Sequence, residues 1–398
     1  MALATLAAAE AGLRLLLRAR GEPYRAVDTR TVLASLRDEV RGDLPDAAGE
    51  GSRRPPGFEL HPFFGYERRD SDEVERWAVE LATGEPRDEL SIVLVGGSVA
   101  AMFALDGADQ VVERLEASGR APRPPRVIGL ARAGYKQPQQ LALVSYLLSR
   151  GARPDVVVNL DGYNEVASSL RNLRLGLPPH FPTGNKWIGL TAGTELDRGL
   201  VDLLADVRAA QLAVEARVDR VLGVGADRSA LLGTLGLAWA RRAHRRWASS
   251  QDDFVRSRTE APADGAGGDV DPLEGLDEVV AFWAESSRSL AAMCGERGIR
   301  YVHLLQPTLQ DAGSKPTTAP ERRFAAPDSP EARRVSDGYE RMRARGAALA
   351  RDGVEFHDLS QTFADVRRTV YVDFCHLGPE GNKLLAERVA DALLAGMH

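Results

Sequence analysis

Three side chains in this sequence have the types needed for nucleophilic catalysis: Ser98, Asp373 and His376. A serine hydroxyl is a poor nucleophile until a base takes its proton, and an imidazole base needs a third group to fix its tautomer. In Asp373-Phe374-Cys375-His376 only two residues separate acid and histidine, so a curled loop can set the carboxylate against Nδ1 and leave Nε2 facing Ser98. Charge on the oxygen of a tetrahedral intermediate then needs donors. The candidates for this oxyanion hole are the backbone N–H of Ser98, the backbone N–H of Gly134 and the side-chain amide of Asn164.

These residues are far apart in the chain, and the pattern around them predicts how they meet. Ser91 to Val95 is a bounded apolar run that ends in Gly96-Gly97-Ser98, the form of a buried strand that delivers a side chain to the carboxyl edge of an α/β sheet. Arg126–Ala131, Pro154–Leu160, Ile299–Leu305 and Val354–Leu359 are four further strand candidates. Helical character fills Val99–Leu115, Gln137–Leu148, Glu331–Ala350 and Pro379–Leu394. Strands separated by helical crossovers predict a parallel five-stranded sheet covered on both faces, a three-layer α/β/α sandwich. Gly134 then follows the second strand and Asn164 the third, while a helix starting near Pro379 holds the 373–376 loop.

Residues 1–60 read as an N-terminal helical and loop extension, and 61–398 as the main domain, interrupted by a helical insertion or cap over 171–298. Within that insertion apolar positions recur at helical spacing over Leu200–Val224, Leu231–Trp247 and Leu276–Glu296, with a turn-rich acidic linker from about Ser257 to Gly275. It reads either as a lid that carries specificity or as a helical side layer. His61 to Tyr66 reads as an irregular stretch that packs across the sheet or lines the cleft.

The composition narrows the function classes. Of 398 residues 44% are apolar and 27% charged, and the formal charge of −6 argues against a nucleic-acid partner. The basic cluster Arg241, Arg242, Arg245 and Arg246 invites a nucleic-acid or anionic-membrane reading, but neighbouring Trp247, Asp252 and Asp253 favour a solvated helix face. Cys294 and Cys375 have no metal-ligand partners at a convincing spacing. Residues 1–20 are rich in Ala and Leu, yet Glu10, Arg14 and Arg18 leave them short of a membrane span. A docked or surface helix in a cytoplasmic protein is the reading; membrane association through this helix is the alternative.

Four blocks carry a family resemblance. Gly96-Gly97-Ser98, Gly134, Gly162-Tyr163-Asn164-Glu165 and Asp373-Phe374-Cys375-His376 are similar, in order and context, to those of the SGNH, or GDSL-like, hydrolase superfamily. The resemblance implies a flavodoxin-like sandwich, Ser98 as nucleophile, His376 as base, Asp373 as its orienter, and Gly134 with Asn164 in the oxyanion hole. It implies a serine esterase that needs no metal or organic cofactor, acting on a small-molecule or carbohydrate ester, with a slight preference for a small acyl group. It spans about 90–165 and 299–396. Gly97 stands where the family often has Asp, and Glu165 where Asp is common.

Rival readings are weaker. Gly96, Ser98 and Ala100 approximate the nucleophile elbow of α/β-hydrolases, but that elbow normally follows several strands, whereas Ser98 follows the first. Asp161 and Glu165 could be a glycosidase acid pair, though local hydrogen bonding or loop capping suits them better. His303 and His357 fall inside strand candidates and read as core or edge residues rather than metal ligands. Cys375 reads as a packed neighbour of His376. A non-catalytic binding or acyl-transfer accessory protein that keeps the fold is the alternative from another class.

Overall fold

A computed structural model describes residues 2–20, 23–41, 57–68, 71–82, 88–191, 198–257 and 275–397. The loop expected over 42–56 and the acidic linker over 258–274 lie outside them. The N-terminal part holds α1 (Ala2–Ala19), α2 (Ala26–Arg41), β1 (Phe58–His61), β2 (Gly65–Arg68) and α3 (Glu73–Glu80). The sheet then starts with β3 (Leu90–Gly96), α4 (Ser98–Asp106), α5 (Ala108–Ser118), β4 (Pro125–Gly129), α6 (Gln139–Ser149), β5 (Val156–Asp161) and α7 (Tyr163–Arg174). Helices α8 (Gly184–Thr191), α9 (Arg198–Gly223), α10 (Ala230–Ser257) and α11 (Leu276–Gly295) precede β6 (Arg300–Leu305). The chain closes with α12 (Ala319–Ala325), α13 (Pro330–Arg351), β7 (Glu355–Asp358) and α14 (Pro379–Ala395).

The five main strands form one parallel sheet in the order β4-β3-β5-β6-β7. Strands β3 and β5 are buried at every position, because helices cover both faces of the sheet. Side chains alternate between those faces. Ile92, Leu94, Val156, Val158, Val302 and Leu304 join Phe103, Leu115, Leu385 and Val389 of α4, α5 and α14 in one core. Val93, Val95, Val157, Tyr301 and Leu305 join Leu143, Val166, Trp283 and Tyr339 of α6, α7, α11 and α13 in the other.

The register aligns the carboxyl ends. Gly96 lies opposite Leu160, Asp161 opposite Leu305, and Leu305 opposite Asp358. Loops leaving β3, β5 and β6 therefore emerge along one edge. The strand order reverses between β3 and β5, and a crevice opens at such a switch point in open α/β sheets.

Three local features differ from the sequence reading. The helix expected over 99–115 breaks at Gly107, where a Cβ would press on the Phe103 ring and the Asn382 carbonyl. The stretch around His61–Tyr66 is not irregular but the antiparallel hairpin β1–β2, turned at Gly65 with φ of +94°. Finally, the helices of the insertion part company. Helices α9 and α10 pack on α2 around Leu33, Val214, Val218, Leu237 and Trp247, while α11 lies on β6 and α13 as part of the sheet's helical layer.

Candidate active site

Ser98 begins helix α4 directly after β3, reached through two glycines with no room for a side chain. At Gly96 the backbone sits at φ of +148°, and a Cβ would strike the Leu160 carbonyl of the neighbouring strand. At Gly97 a Cβ would strike Nδ2 of Asn164. Gly97 thus leaves the space beside the serine to the Asn164 amide, at the position where the family resemblance often places Asp. Ser98 is half-buried, and its N–H belongs to the first turn of a helix, where backbone donors lack intrahelical partners.

The 373–376 loop is a tight turn closed by a bridge between Tyr371 and Leu377, with Val372 N donating to the His376 carbonyl at 2.9 Å. Asp373 Oδ1 accepts from the backbone N–H of Cys375 at 2.9 Å and of His376 at 2.8 Å. Its other oxygen, Oδ2, lies 2.6 Å from His376 Nδ1. His376 Nε2 lies 2.7 Å from Ser98 Oγ. An unbroken line of hydrogen bonds thus runs from a carboxylate through an imidazole to a serine hydroxyl, across 278 residues of sequence separation.

The electrostatics of that line follow from its packing. Burial pushes the Asp373 carboxyl up, but the His376 ring and the two backbone donors outweigh it and hold the group below the usual carboxylate range. Burial by itself would lower His376, yet the Asp373 carboxylate and neighbouring Cys375 raise it well above the ordinary histidine value. The ring is a strong base whose proton Asp373 stabilises.

Gly134 sits in the loop after β4 at φ of +80°, a conformation that favours glycine. Three successive carbonyls, those of Ala133, Gly134 and Tyr135, are held from outside the loop. Tyr66 of β2 donates to the Ala133 carbonyl at 3.0 Å, and Lys186 of α8 donates to the same oxygen at 2.8 Å. Thr183 Oγ1 donates to the Gly134 carbonyl at 2.7 Å, and Asn164 Nδ2 to the Tyr135 carbonyl at 2.9 Å. Arg132 N in turn donates to the Gly96 carbonyl at 3.1 Å, tying this loop to the strand that carries Ser98. Asn164 keeps a second N–H on the same nitrogen, since an amide donates twice.

Further residues at the site were not visible as site residues in the sequence. Glu321, buried on α12, accepts from Val370 N at 2.9 Å and Tyr371 N at 3.1 Å and so anchors the chain leading into the 373–376 loop. It also pairs with buried Lys315 at 2.7 Å. The Thr318-x-x-Glu321 capping signature was the available clue. The Phe374 carbonyl accepts from Leu309 N at 3.0 Å and Thr308 Oγ1 at 2.9 Å, which secures the middle of the loop to the exit of β6.

The remaining candidates fall where their bland readings put them. Glu165 is buried and accepts from Gly162 N at 2.8 Å as a cap of α7; burial and nearby Asp161 push its carboxyl up. Asp161 accepts from Trp283 Nε1 at 2.8 Å and lies 2.9 Å from His303 Nε2. His357 is half-buried on the edge strand β7, and Cys375 is buried beside His376. Asp373, Cys375 and His376 form the single group of three potential metal ligands among the described residues; Asp373 and His376 belong to the hydrogen-bonded line above, and Cys375 Sγ lies 3.8 Å from His376 Nδ1. No helix among the described residues is long and apolar enough to cross a membrane.

No family model and no curated protein matches the chain. Solved structures of low identity do. An acetyl xylan esterase matches with 13% identity over 77% of this chain and 100% of its own, at a TM-score of 0.36. A GDSL-like lipase from Bacteroides thetaiotaomicron matches with 11% identity over 81% of this chain and 97% of its own, at 0.37. An α/β hydrolase enzyme from the metagenome of Lake Arreo matches with 14% identity over 77% and 93%, at 0.35. These likenesses are loose, and the chemistry of the site rests on its own geometry.

Proposed function

We propose that this chain is a serine esterase of the SGNH type that works through an acyl-enzyme. The observation that carries the reading is the line from Asp373 Oδ2 to His376 Nδ1 at 2.6 Å and from His376 Nε2 to Ser98 Oγ at 2.7 Å, at the sheet's carboxyl edge. Ser98 Oγ attacks the ester carbonyl carbon as His376 Nε2 takes its proton. The oxyanion is received by the N–H groups of Ser98 and Gly134 and by the free N–H of Asn164 Nδ2. Collapse breaks the bond to the alcohol oxygen, which leaves with the proton from His376. Water then attacks the acyl-enzyme with His376 again as base, and the acid departs as Ser98 regains its hydrogen.

Each step uses a group already on hand, so no metal or organic cofactor takes part in the proposal. The direct contact between His376 and Ser98 favours an enzyme over an accessory protein that merely keeps the fold. The assay is turnover of short-chain aryl esters and acetylated sugars. The reading expects turnover that Ser98→Ala abolishes without loss of folding; a folded wild-type chain inert on a broad ester panel overturns it.

A further inference from the structure

Helix α1 is anchored through the side that carries Glu10 and Arg14, whose guanidinium donates to the Arg228 carbonyl at 3.0 Å. Glu10 accepts from the Ala230 and Leu231 N–H groups at 2.8 Å each and from Ser229 Oγ at 2.7 Å, capping α10. Leu13 and Leu17, on the same side, are half-buried. The opposite side is Ala8, Ala11, Gly12, Leu15, Leu16 and Ala19, all exposed, with Leu15 at 67%. A solvated helix face normally carries charged or polar groups. This one carries none over more than two turns.

The helix it caps continues the pattern. Leu232, Leu235 and Trp239 are exposed on α10, and the same three-four spacing runs on to exposed Arg242 and Arg246. Arg217 of α9 lies over the Trp239 ring, 5.0 Å from its centroid. Neither Arg242 nor Arg246 has an ion-pair partner among the described residues, and Arg18 flanks the apolar face of α1. The chain as a whole is acidic, at −6, so arginines gathered around an uncharged face stand against the overall charge.

We propose that the outer faces of α1 and α10 dock on an anionic lipid surface, with Leu15, Leu16, Leu232, Leu235 and Trp239 entering the interface and Arg18, Arg242 and Arg246 meeting the headgroups. Apolar residues and a tryptophan on one side, with arginines beside them, are the features of an interfacial helix, and neither helix is a membrane span. A second copy of the chain suits the surface less well. Parallel pairing of α10 sets Arg242 and Arg246 against their own copies, and antiparallel pairing lays them on the leucines. This inference is independent of the chemistry at Ser98.

Co-flotation of the full chain with vesicles tests it. The chain is expected to float with vesicles of phosphatidylcholine and phosphatidylglycerol, not with phosphatidylcholine alone, and to be released by salt. The double variant Leu15→Glu with Leu16→Glu, and separately Arg242→Glu with Arg246→Glu, should each weaken binding about tenfold or more. Circular dichroism of both variants should match the parent, since all four positions are exposed. The proposal is overturned by a chain that floats with neither vesicle or with both equally, or by variants that float like the parent. It is also overturned by a dimer in light scattering that the leucine variant dissolves, which assigns the face to a second copy.

Discussion

Among the described residues two Ser-His-Asp arrangements stand out, and their difference shows what such a line needs before it can do chemistry. One is Ser98, His376 and Asp373. The other is Ser287, His303 and Asp161, where Ser287 Oγ lies 2.7 Å from His303 Nδ1 and His303 Nε2 lies 2.9 Å from Asp161 Oδ1. The bond lengths are nearly the same. The ring, however, faces the other way round, with Nε2 on the acid and Nδ1 on the hydroxyl.

Location separates the two further. Ser287, His303 and Asp161 are at most 1% exposed, sealed between α11 and the sheet, and Trp283 and Asn159 spend their donors on Asp161. No substrate reaches that hydroxyl. Ser98 stands at the switch point of the strand order, at a helix start, beside a glycine corner held by four side chains. The buried set orders a core; the edge set is partly exposed and, in the proposed reaction, has backbone and amide N–H groups beside it for developing charge.

The contrast can be broken most sharply at the two serines. Ser98→Ala should lower kcat by about a millionfold, as removing the nucleophile of a serine triad does, with an unchanged melting curve. Ser287→Ala should leave ester turnover intact and cost about 1–3 kcal/mol of stability, because His303 Nδ1 is left buried without its partner. Melting curves and initial rates on the same preparations read both effects. Equal losses of turnover in the two variants would erase the distinction.

Asp373→Asn comes next, with an expected fall in kcat of about 10⁴ from loss of the correct tautomer. It should also move the pH profile. The base works when neutral, so activity is lost as pH falls through the pKa of His376, which the Asp373 carboxylate holds above the ordinary histidine range. Without that carboxylate burial lowers the pKa, and the ascending limb of kcat/KM shifts to lower pH. A limb that stays in place would mean that another group titrates.

Smaller effects sharpen the role of the donors. Asn164→Ala should cost about 10² to 10³ in kcat with little change in KM, the usual loss for one oxyanion donor. Thr183→Val should cost about fivefold, roughly 1 kcal/mol, by releasing the Gly134 carbonyl, and Thr183→Ser should restore the rate. A rise in KM alone would place Thr183 in substrate binding instead.

What could be read in advance divides along physical lines. The central strands β3, β5 and β6 were legible because each is a short apolar run bounded by polar or glycine-containing ends, and burial on both faces demands that pattern, while the partly exposed edge strands β4 and β7 were placed by the turn and helix signals on either side of them. The placement of Ser98, Gly134 and Asn164 at one sheet edge was legible because they follow β3, β4 and β5. The hairpin β1–β2 was not, since two four-residue strands with mixed exposure carry little periodicity. Thr183, Glu321 and the Ser287–His303–Asp161 line were invisible as site or network members, because each acts through a contact between distant segments. Asp161 and His303 are 142 residues apart, and neighbouring residues announce nothing of their meeting.

The central claim is that Ser98 is an activated nucleophile and Ser287, bonded in a like manner, is not. Labelling the folded chain with a fluorophosphonate, followed by mapping of the modified peptide, tests it in one measurement. Modification is expected at Ser98, abolished by His376→Ala, and none at Ser287. A folded chain in which Ser98 stays unmodified, or in which the label falls on Ser287, would contradict it.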